Sequence, residues 1–352
     1  MGVPTRALLL GATAVLVVRA EPEGIRAGTE QFLNRDFAAA ERAAEEVLQA
    51  LPDSLDGHLL LAKSRLHAEM VRLRLAGTRA FRGDRPYNSR PRPKPDAGRV
   101  RKVLAIINRG FAACERRLAA DGGDVHALHA LAQLYALRSV HELMLQKAPF
   151  KALSSGRTAS RISYQVGDLR PEFADGLLVA GVYEYMVGSL PWAVRAIVAL
   201  RGHRGSRMQG WALISRAAHH GEVLRSESHL LLALVERKEK RYSEAADLFL
   251  GLLGRYPRAY YYELEAADLR ESAGRRDAAL ALFRSASRKR EQSVDAYERI
   301  PPAMAAALDR RIGVLERQIA KRRGLRGRGT GGMAGEARRQ VSEGRELVGR
   351  PP

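Results

Sequence analysis

The sequence predicts an all-α fold, a solenoid built from stacked antiparallel helix pairs, and three observations support this class. Apolar residues recur at helical spacing, as with Ala245, Leu248 and Phe249 at i, i+3 and i+4. Short segments rich in Pro, Gly and Asp, such as 51–53 and 121–124, separate these apolar stripes. The third observation is an internal repeat near the C-terminus, because two such helical stretches match each other at a fixed spacing.

Composition narrows the class of protein further. The chain has 352 residues, of which 46% are hydrophobic, and such a fraction is typical of a packed core rather than of a disordered chain. Cys114 is the single cysteine, which excludes an intramolecular disulfide and any site with several thiolate ligands. The net charge of +20 comes mainly from arginines that are interleaved with acidic residues. It favours anionic partners in general, but no nucleic-acid reader motif accompanies it.

Residues 1–20 have the pattern of a secretory signal peptide. Arg6 precedes the apolar run 7–18, and small residues end at Ala20, where cleavage is expected. The run is short for a membrane span, and the absence of a nearby cysteine excludes a lipoprotein anchor. We therefore expect an exported protein, periplasmic or secreted, without a transmembrane span after cleavage. An uncleaved interfacial anchor and a wrongly assigned start codon are the alternatives.

Residues 21–320 are predicted to form the helical array, with one interruption. The segment 82–98 contains four prolines among arginines and a lysine, which predicts an extended basic loop because such a density of proline ends helices. The tail 321–352 has nine basic and three acidic residues among many glycines. This composition predicts disorder, apart from a short helix near 336–347.

The repeat near the C-terminus has a defined period. Ala245 and Phe249 recur 34 residues later as Ala279 and Phe283, and 34 residues is the tetratricopeptide period. A small residue such as Ala245 lets two helices approach closely, and an aromatic residue such as Phe249 fills the space between helices. The chain therefore resembles the tetratricopeptide repeat (TPR) family. The resemblance covers three segments, 21–53, 226–258 and 260–293.

A second resemblance covers the middle of the chain. This part of the chain is similar to exported bacterial TPR proteins and, more distantly, to the eukaryotic tetratricopeptide repeat protein 39 group. The similarity lies in segments 181–192 and 201–210 and in the following Ala217-Ala218. In such proteins a small–Leu–Pro turn, here Ser189-Leu190-Pro191, links two helices. The resemblance implies a helical scaffold without established chemistry.

Motifs for catalysis, cofactors and metals are missing or incomplete, so we expect no enzyme, no cofactor and no metal site. His141-Glu142 begins like the zinc-protease motif, but Leu145 occupies the position of the second ligand. The glycines of 327–332 follow a basic segment rather than a strand, which argues against a dinucleotide site. The aromatic stretch from Tyr183 to Arg195 is the one place where a pocket would reopen the question of an enzyme.

The TPR resemblance implies where a partner binds. The second, fifth, ninth, twelfth and thirteenth residues of a TPR unit tend to face a concave groove, and units are counted here from Ser226 and Tyr260. We predict that Arg237 and Lys238 accept a carboxylate and that Tyr261 is an apolar anchor. The other predicted partner-binding residues are Leu230, Leu234 and Asp268.

Three consecutive tyrosines, 260–262, begin the last repeat. Since successive helical residues point about 100° apart, we expect at least one of these rings to be exposed, although packing of all three is the alternative.

The sequence thus predicts a non-enzymatic protein-interaction scaffold of the cell envelope, which binds a partner peptide in its concave face. The alternative is electrostatic binding of an anionic surface (lipid, envelope polymer or nucleic acid) through the basic loop 82–98 and the tail 321–352. Strong weakening by salt would distinguish this alternative from groove binding.

Overall fold

The computed structural model describes residues 23–73, 75 and 93–322, and in these residues it contains helices and no strand. The predicted signal peptide, most of the predicted basic loop and most of the predicted disordered tail lie outside the described residues. The α-helices are α1 (Glu23–Leu33), α2 (Phe37–Ala50), α3 (Leu55–Arg72), α4 (Ala97–Ala120), α5 (Val125–Met144), α6 (Pro149–Leu169), α7 (Leu178–Gly188), α8 (Trp192–Leu200), α9 (Arg207–His220), α10 (Arg225–Lys238), α11 (Tyr242–Arg255), α12 (Tyr260–Ser272), α13 (Arg276–Glu291) and α14 (302–322). Two short 3-10 helices, Ala174–Leu177 and Tyr297–Arg299, join them.

Polar caps define where several of these helices begin. In each case a side-chain oxygen accepts a hydrogen bond from a backbone N–H three residues later, which satisfies a donor that the first helical turn leaves free. These caps are Asp36, Ser54, Asp96, Asp124 and Ser206. The breaker 121–124 thus ends in a residue, Asp124, that caps the next helix.

Consecutive helices pack as antiparallel pairs, which confirms the predicted all-α solenoid. Each of α1, α3 and α5 packs on the helix that follows it, and α3 also packs on both α1 and α5. The pairs α10–α11 and α12–α13 continue the pattern. Ala245, Phe249, Ala279 and Phe283, which define the 34-residue repeat, are all fully buried. The repeat positions thus pack between helices as their spacing predicts.

The middle of the chain departs from regular alternation. Helix α7 packs closely on α9 rather than on α8. A Cβ atom added to Gly210 of α9 would lie 2.6 Å from the carbonyl oxygen of Gly181 in α7, so the two backbones touch where neither residue has a side chain. Among the described helices, α8 belongs to none of the pairs that pack along an extended surface. Helix α8 is therefore an insertion within the α7–α9 pair.

The array returns to its own beginning. The hydroxyl of Tyr262 in α12 donates to the carbonyl oxygen of Leu33 at 2.9 Å, across 229 residues of chain. The backbone N–H of Arg258 donates to the Asn34 side chain at 3.2 Å, and Arg299 contacts Asp36 at 2.7 Å. The turn between α1 and α2 therefore contacts the C-terminal units, and one apolar core runs through both.

Candidate functional site

Beside this closure, on the inner side of the array, lies a half-open cavity of about 650 Å³. Helices α1, α3, α5 and α10 form its walls together with the turn before α10 and the end of α11. Such a volume falls within the range of about 300–1,000 Å³ that ligand pockets have.

The cavity wall has an apolar part that a glycine makes possible. Ile25 and Leu33 of α1 face Leu59 and Leu60 of α3, and all four side chains are buried. A Cβ atom at Gly28 would lie 2.5 Å from the Leu60 side chain. Glycine at this position therefore lets α3 approach α1 closely enough for Leu60 to reach the wall.

The cavity lining has as many carboxylates as Lys and Arg side chains, but few of them form ion pairs with one another. Its carboxylates are Glu30, Asp56, Glu222 and Glu227, and its cations are Arg26, Lys63, Arg225 and Arg255. The Lys63 ammonium lies 3.7 Å from one carboxylate oxygen of Glu227. The other oxygen of Glu227 is buried, and no hydrogen-bond donor within the described part of the chain reaches it.

Three guanidinium groups of the lining have no anionic partner among the residues that the structure describes. Arg225 donates to the carbonyl oxygen of Gly221 at 2.8 Å, and Arg255 donates to the hydroxyl of Ser226 at 3.3 Å. Neither these two nor Arg26 forms an ion pair with a carboxylate of residues 23–73 or 93–322. The cavity therefore offers cationic groups that suit a carboxylate.

Two histidines of α5 near the cavity have opposite electrostatic environments. His126 lies 3.1 Å from Asp56, and the hydrogen bond to that carboxylate raises the pKa of His126. Burial opposes ionisation of Asp56, but the hydrogen bond and charge of His126 outweigh it and lower the pKa of Asp56. Burial lowers the pKa of His129 to about 3, and neither of its ring nitrogens has a hydrogen-bond partner among the described residues. His129 is therefore neutral.

The predicted partner-binding residues of α10 lie outside this cavity. Arg237 forms an ion pair of 2.6 Å with the fully buried Glu265 of α12, so the carboxylate that it binds belongs to the chain itself. Lys238 is exposed, with its ammonium 5.4 Å from the centre of the Tyr185 ring. Leu230 and Leu234 are half-buried against the main core. Their role in binding stays a prediction.

The residues predicted on α12 are packed. Tyr261 is half-buried beneath the guanidinium of Arg35, which lies 4.2 Å from the ring centre, and burial raises the pKa of Tyr261. Asp268 is buried. Tyr261 and Arg237 do come together, because each interacts with Glu265.

The expectation that one of the three tyrosines is exposed was wrong. Tyr262 is buried, Tyr260 is half-buried with its ring centre 6.2 Å from that of Tyr297, and Tyr261 is half-buried as well. The reason is that α12 has neighbours on three sides, namely α11, α13 and the turn between α1 and α2.

The aromatic side chains between Tyr183 and Trp192 do not line a common pocket. The Tyr183 hydroxyl lies 2.9 Å from the His203 ring, and the Tyr185 hydroxyl donates to Glu239 at 2.7 Å. The Trp192 side chain is 79% exposed. These three rings therefore contact different surroundings.

Sequence reasoning missed most of the cavity because its residues come from segments that are far apart in the chain. Arg26, Lys63 and Arg255 belong to three different helices, and no local pattern connects them. Glu227 gave the one available signal, since it is the second residue of the unit counted from Ser226 and so has a predicted groove position.

Comparisons with known proteins add little to this description. No family model and no curated protein sequence matches the chain. Among solved structures, the crystal structure of a thermophilic TPR protein from Thermus thermophilus is similar, with a TM-score of 0.39 and 14% sequence identity over 70% of this chain and 96% of that one. A similarity of this extent carries no argument, so the fold class rests on the helix packing described above.

Proposed function

We propose that the chain is a non-enzymatic protein-interaction scaffold, and that it binds a short segment of a partner protein in the inner cavity. The observation that carries this proposal is the lining, which combines a buried apolar wall with three guanidinium groups without a carboxylate partner in the described chain. A peptide supplies the complement of each, namely an apolar side chain and a carboxylate.

The geometry also limits the length of the bound segment. The cavity has a volume of about 650 Å³, so it holds a chain end or a few residues rather than a whole helix. A C-terminal carboxylate or an acidic side chain would contact Arg225 and Arg255, and its apolar neighbour would pack on Leu59 and Leu60.

The predicted groove residues give a competing location for the same activity. Lys238 is exposed beside Tyr185, and Tyr261 is partly accessible, so a partner could also bind on that side of α10 and α12. Arg237 is less suited to this role, because a ligand carboxylate would have to compete with Glu265.

Crosslinking in the native host, followed by identification of the bound protein, provides the partner for a binding test. The cavity variant Arg225→Glu with Arg255→Glu should weaken partner binding by about tenfold or more, because the reversed charges repel a carboxylate. Arg317→Glu is the matched control, since Arg317 is exposed on α14. Full binding by a folded cavity variant would contradict the cavity site. Loss of binding only in Arg237→Glu with Tyr261→Ala would favour the groove site.

We also propose export to the cell envelope, and support comes from the pattern of residues 1–20. Cell fractionation and N-terminal sequencing of the mature chain test it. A mature chain that begins at Met1 in the cytoplasm would contradict it.

Binding of anionic surfaces by segments 82–98 and 321–352 stays a prediction. Deletion of 323–352, with binding measured at low and high salt, tests the contribution of the tail.

A further inference from the structure

Helix α8 exposes an unusual amount of apolar surface. The exposed fractions of its side chains are 79% for Trp192, 43% for Val194, 53% for Ile197 and 90% for Leu200. Only Val198 is buried. A contiguous apolar patch on a protein surface marks an interaction site more often than an isolated apolar residue does.

This helix is held in place rather than loosely attached. Val198 packs inward at 2% exposure, and His203 in the following turn is buried and lies 2.9 Å from the Tyr183 hydroxyl. The backbone N–H of Ser206 donates to Glu184 at 2.8 Å. The turn after α8 is therefore fixed to α7, and the exposed apolar side chains of α8 point outward.

The apolar face of α8 is wide. With about 100° of rotation per residue, Trp192, Leu200, Ile197 and Val194 together cover about 200° of the helix circumference. A helix that packs in a protein groove presents a narrower stripe, about 100° wide. A face that covers half the helix suits the interface of a bilayer, where an amphipathic helix lies half-immersed.

Neighbouring apolar residues extend the patch beyond α8. Met186 near the end of α7 and Met208 at the start of α9 are 50% and 81% exposed, and the backbones of Gly188 and Arg207 beside them are in contact. Phe150 is 55% exposed beneath the guanidinium of Arg201, which directly follows α8 and lies 4.3 Å from the ring centre.

Charge around the patch selects its partner. Residues 185–221 contain five arginines and no Asp or Glu, although the whole chain has 39 acidic residues. Arg195, Arg201 and Arg204 are exposed and form no ion pair with the described part of the chain. The same face of a second copy would carry the same positive charge and would be repelled. Anionic lipid headgroups would be attracted.

We propose that α8, with Met186, Met208 and Phe150, forms a membrane-interface site that binds bilayers containing anionic phospholipid. Trp192 lies at the depth of the headgroups, where indole rings are favoured, and the arginines contact phosphates. No single helix in the described ranges is long and apolar enough for a span, and 174–188 joins 192–200 at a bend of 118°.

The site is tested on the full chain with vesicles of phosphatidylcholine alone and with about one-third phosphatidylglycerol. In a Trp211→Phe background, Trp192 is the only tryptophan and reports on α8 whatever other segments bind. We expect its emission to shift to the blue with anionic vesicles, and much less with neutral ones. Unchanged Trp192 emission while the protein sediments with anionic vesicles would overturn the proposal.

A pair of matched variants separates this site from other contacts. Ile197→Glu with Leu200→Glu should raise the lipid concentration for half-maximal binding by about tenfold or more, because it puts two carboxylates on the inserted face. Leu51→Glu with Val294→Glu is the control, since those residues are 50% and 41% exposed in turns of other units. Both variants should keep the melting temperature of the parent. An oligomer that the α8 variant dissociates, without any change in lipid binding, would overturn the proposal in favour of self-association.

Discussion

Two regions of the molecule use similar apolar helices in opposite ways. In the closed part, made of α1–α6 and α10–α13, one apolar core joins α1–α5 to α10–α12. Several buried carboxylates there have cationic partners, as in Glu263 with Lys289. In the region α7–α9, α7 and α9 contact each other directly at Gly181 and Gly210, and α8 packs along an extended surface with none of the described helices. A solenoid therefore tolerates an inserted helix without loss of packing, and the insertion is free to bind something else.

The largest effect is expected from a substitution that separates α7 from α9. In Gly210→Ala, the added Cβ atom meets the carbonyl oxygen of Gly181 at 2.6 Å and the Cα atom of Tyr185 at 2.7 Å, and backbone atoms cannot move aside easily. We expect the free energy of unfolding to fall by about 2–3 kcal/mol, because overpacking outweighs the better helix propensity of alanine. Urea denaturation measures the change.

A second Gly→Ala substitution in the closed part is the matched control. An added Cβ atom at Gly251 of α11 meets no atom within 4 Å, so Gly251→Ala should stabilise the protein by about 0.5–1 kcal/mol through helix propensity alone. Equal effects of the two substitutions would show that α7 and α9 are not in close contact, and α8 would then not be an insertion.

A buried histidine of the closed part makes the stability of the protein depend on pH. His129 of the closed part is 5% exposed and neutral, with its pKa lowered to about 3 by burial. In the unfolded chain it takes up a proton below a pKa of about 6.5, whereas the folded chain resists protonation. Stability should therefore be undiminished above about pH 6.5 and fall as the pH decreases, by about 2 kcal/mol at pH 5 from this residue alone.

His129→Leu should remove that part of the pH dependence, as measured by urea denaturation at pH 7 and pH 5. The matched control is His220→Leu in α9, because His220 is exposed and the same substitution there removes no buried ring. If His129→Leu leaves the pH dependence unchanged, His129 is accessible to water and α5 is less deeply packed than described.

The sequence was informative where the determining interactions are local. The spacing of Ala245 and Phe249, and their recurrence at Ala279 and Phe283, predicted the helix pairs, and those residues are buried as expected. The cavity could not be predicted in the same way, because its walls depend on contacts between residues about 230 positions apart, such as Leu33 and Tyr262. The same closure explains why 260–262 have no exposed ring, since it covers a face of α12 that an open array would leave bare.

The spacing of apolar residues also could not distinguish α8 from helices that pack in the core. Its residues Trp192, Ile197 and Leu200 are as apolar as those of a core stripe, and a stripe shows only that a helix forms. What leaves α8 exposed is the glycine contact that brings α7 and α9 together without it. The absence of Asp and Glu from 185–221 was the sequence signal that sets this stretch apart.

The smallest of these effects tests the closure itself. Tyr262→Phe removes the hydroxyl that donates to the carbonyl oxygen of Leu33, and it should cost about 1 kcal/mol because the buried acceptor loses its donor. Tyr242→Phe is the control, since the hydroxyl of this half-buried tyrosine bonds to no residue of the described chain, and its effect should be within about 0.5 kcal/mol. Hydrogen exchange adds a local measurement at Arg258, whose N–H donates to Asn34 across the same contact. Faster exchange there in Tyr262→Phe but not in Tyr242→Phe is expected of a closed array. In an open array the two substitutions would have the same small effect, because the first unit would lie too far from α12 to contribute.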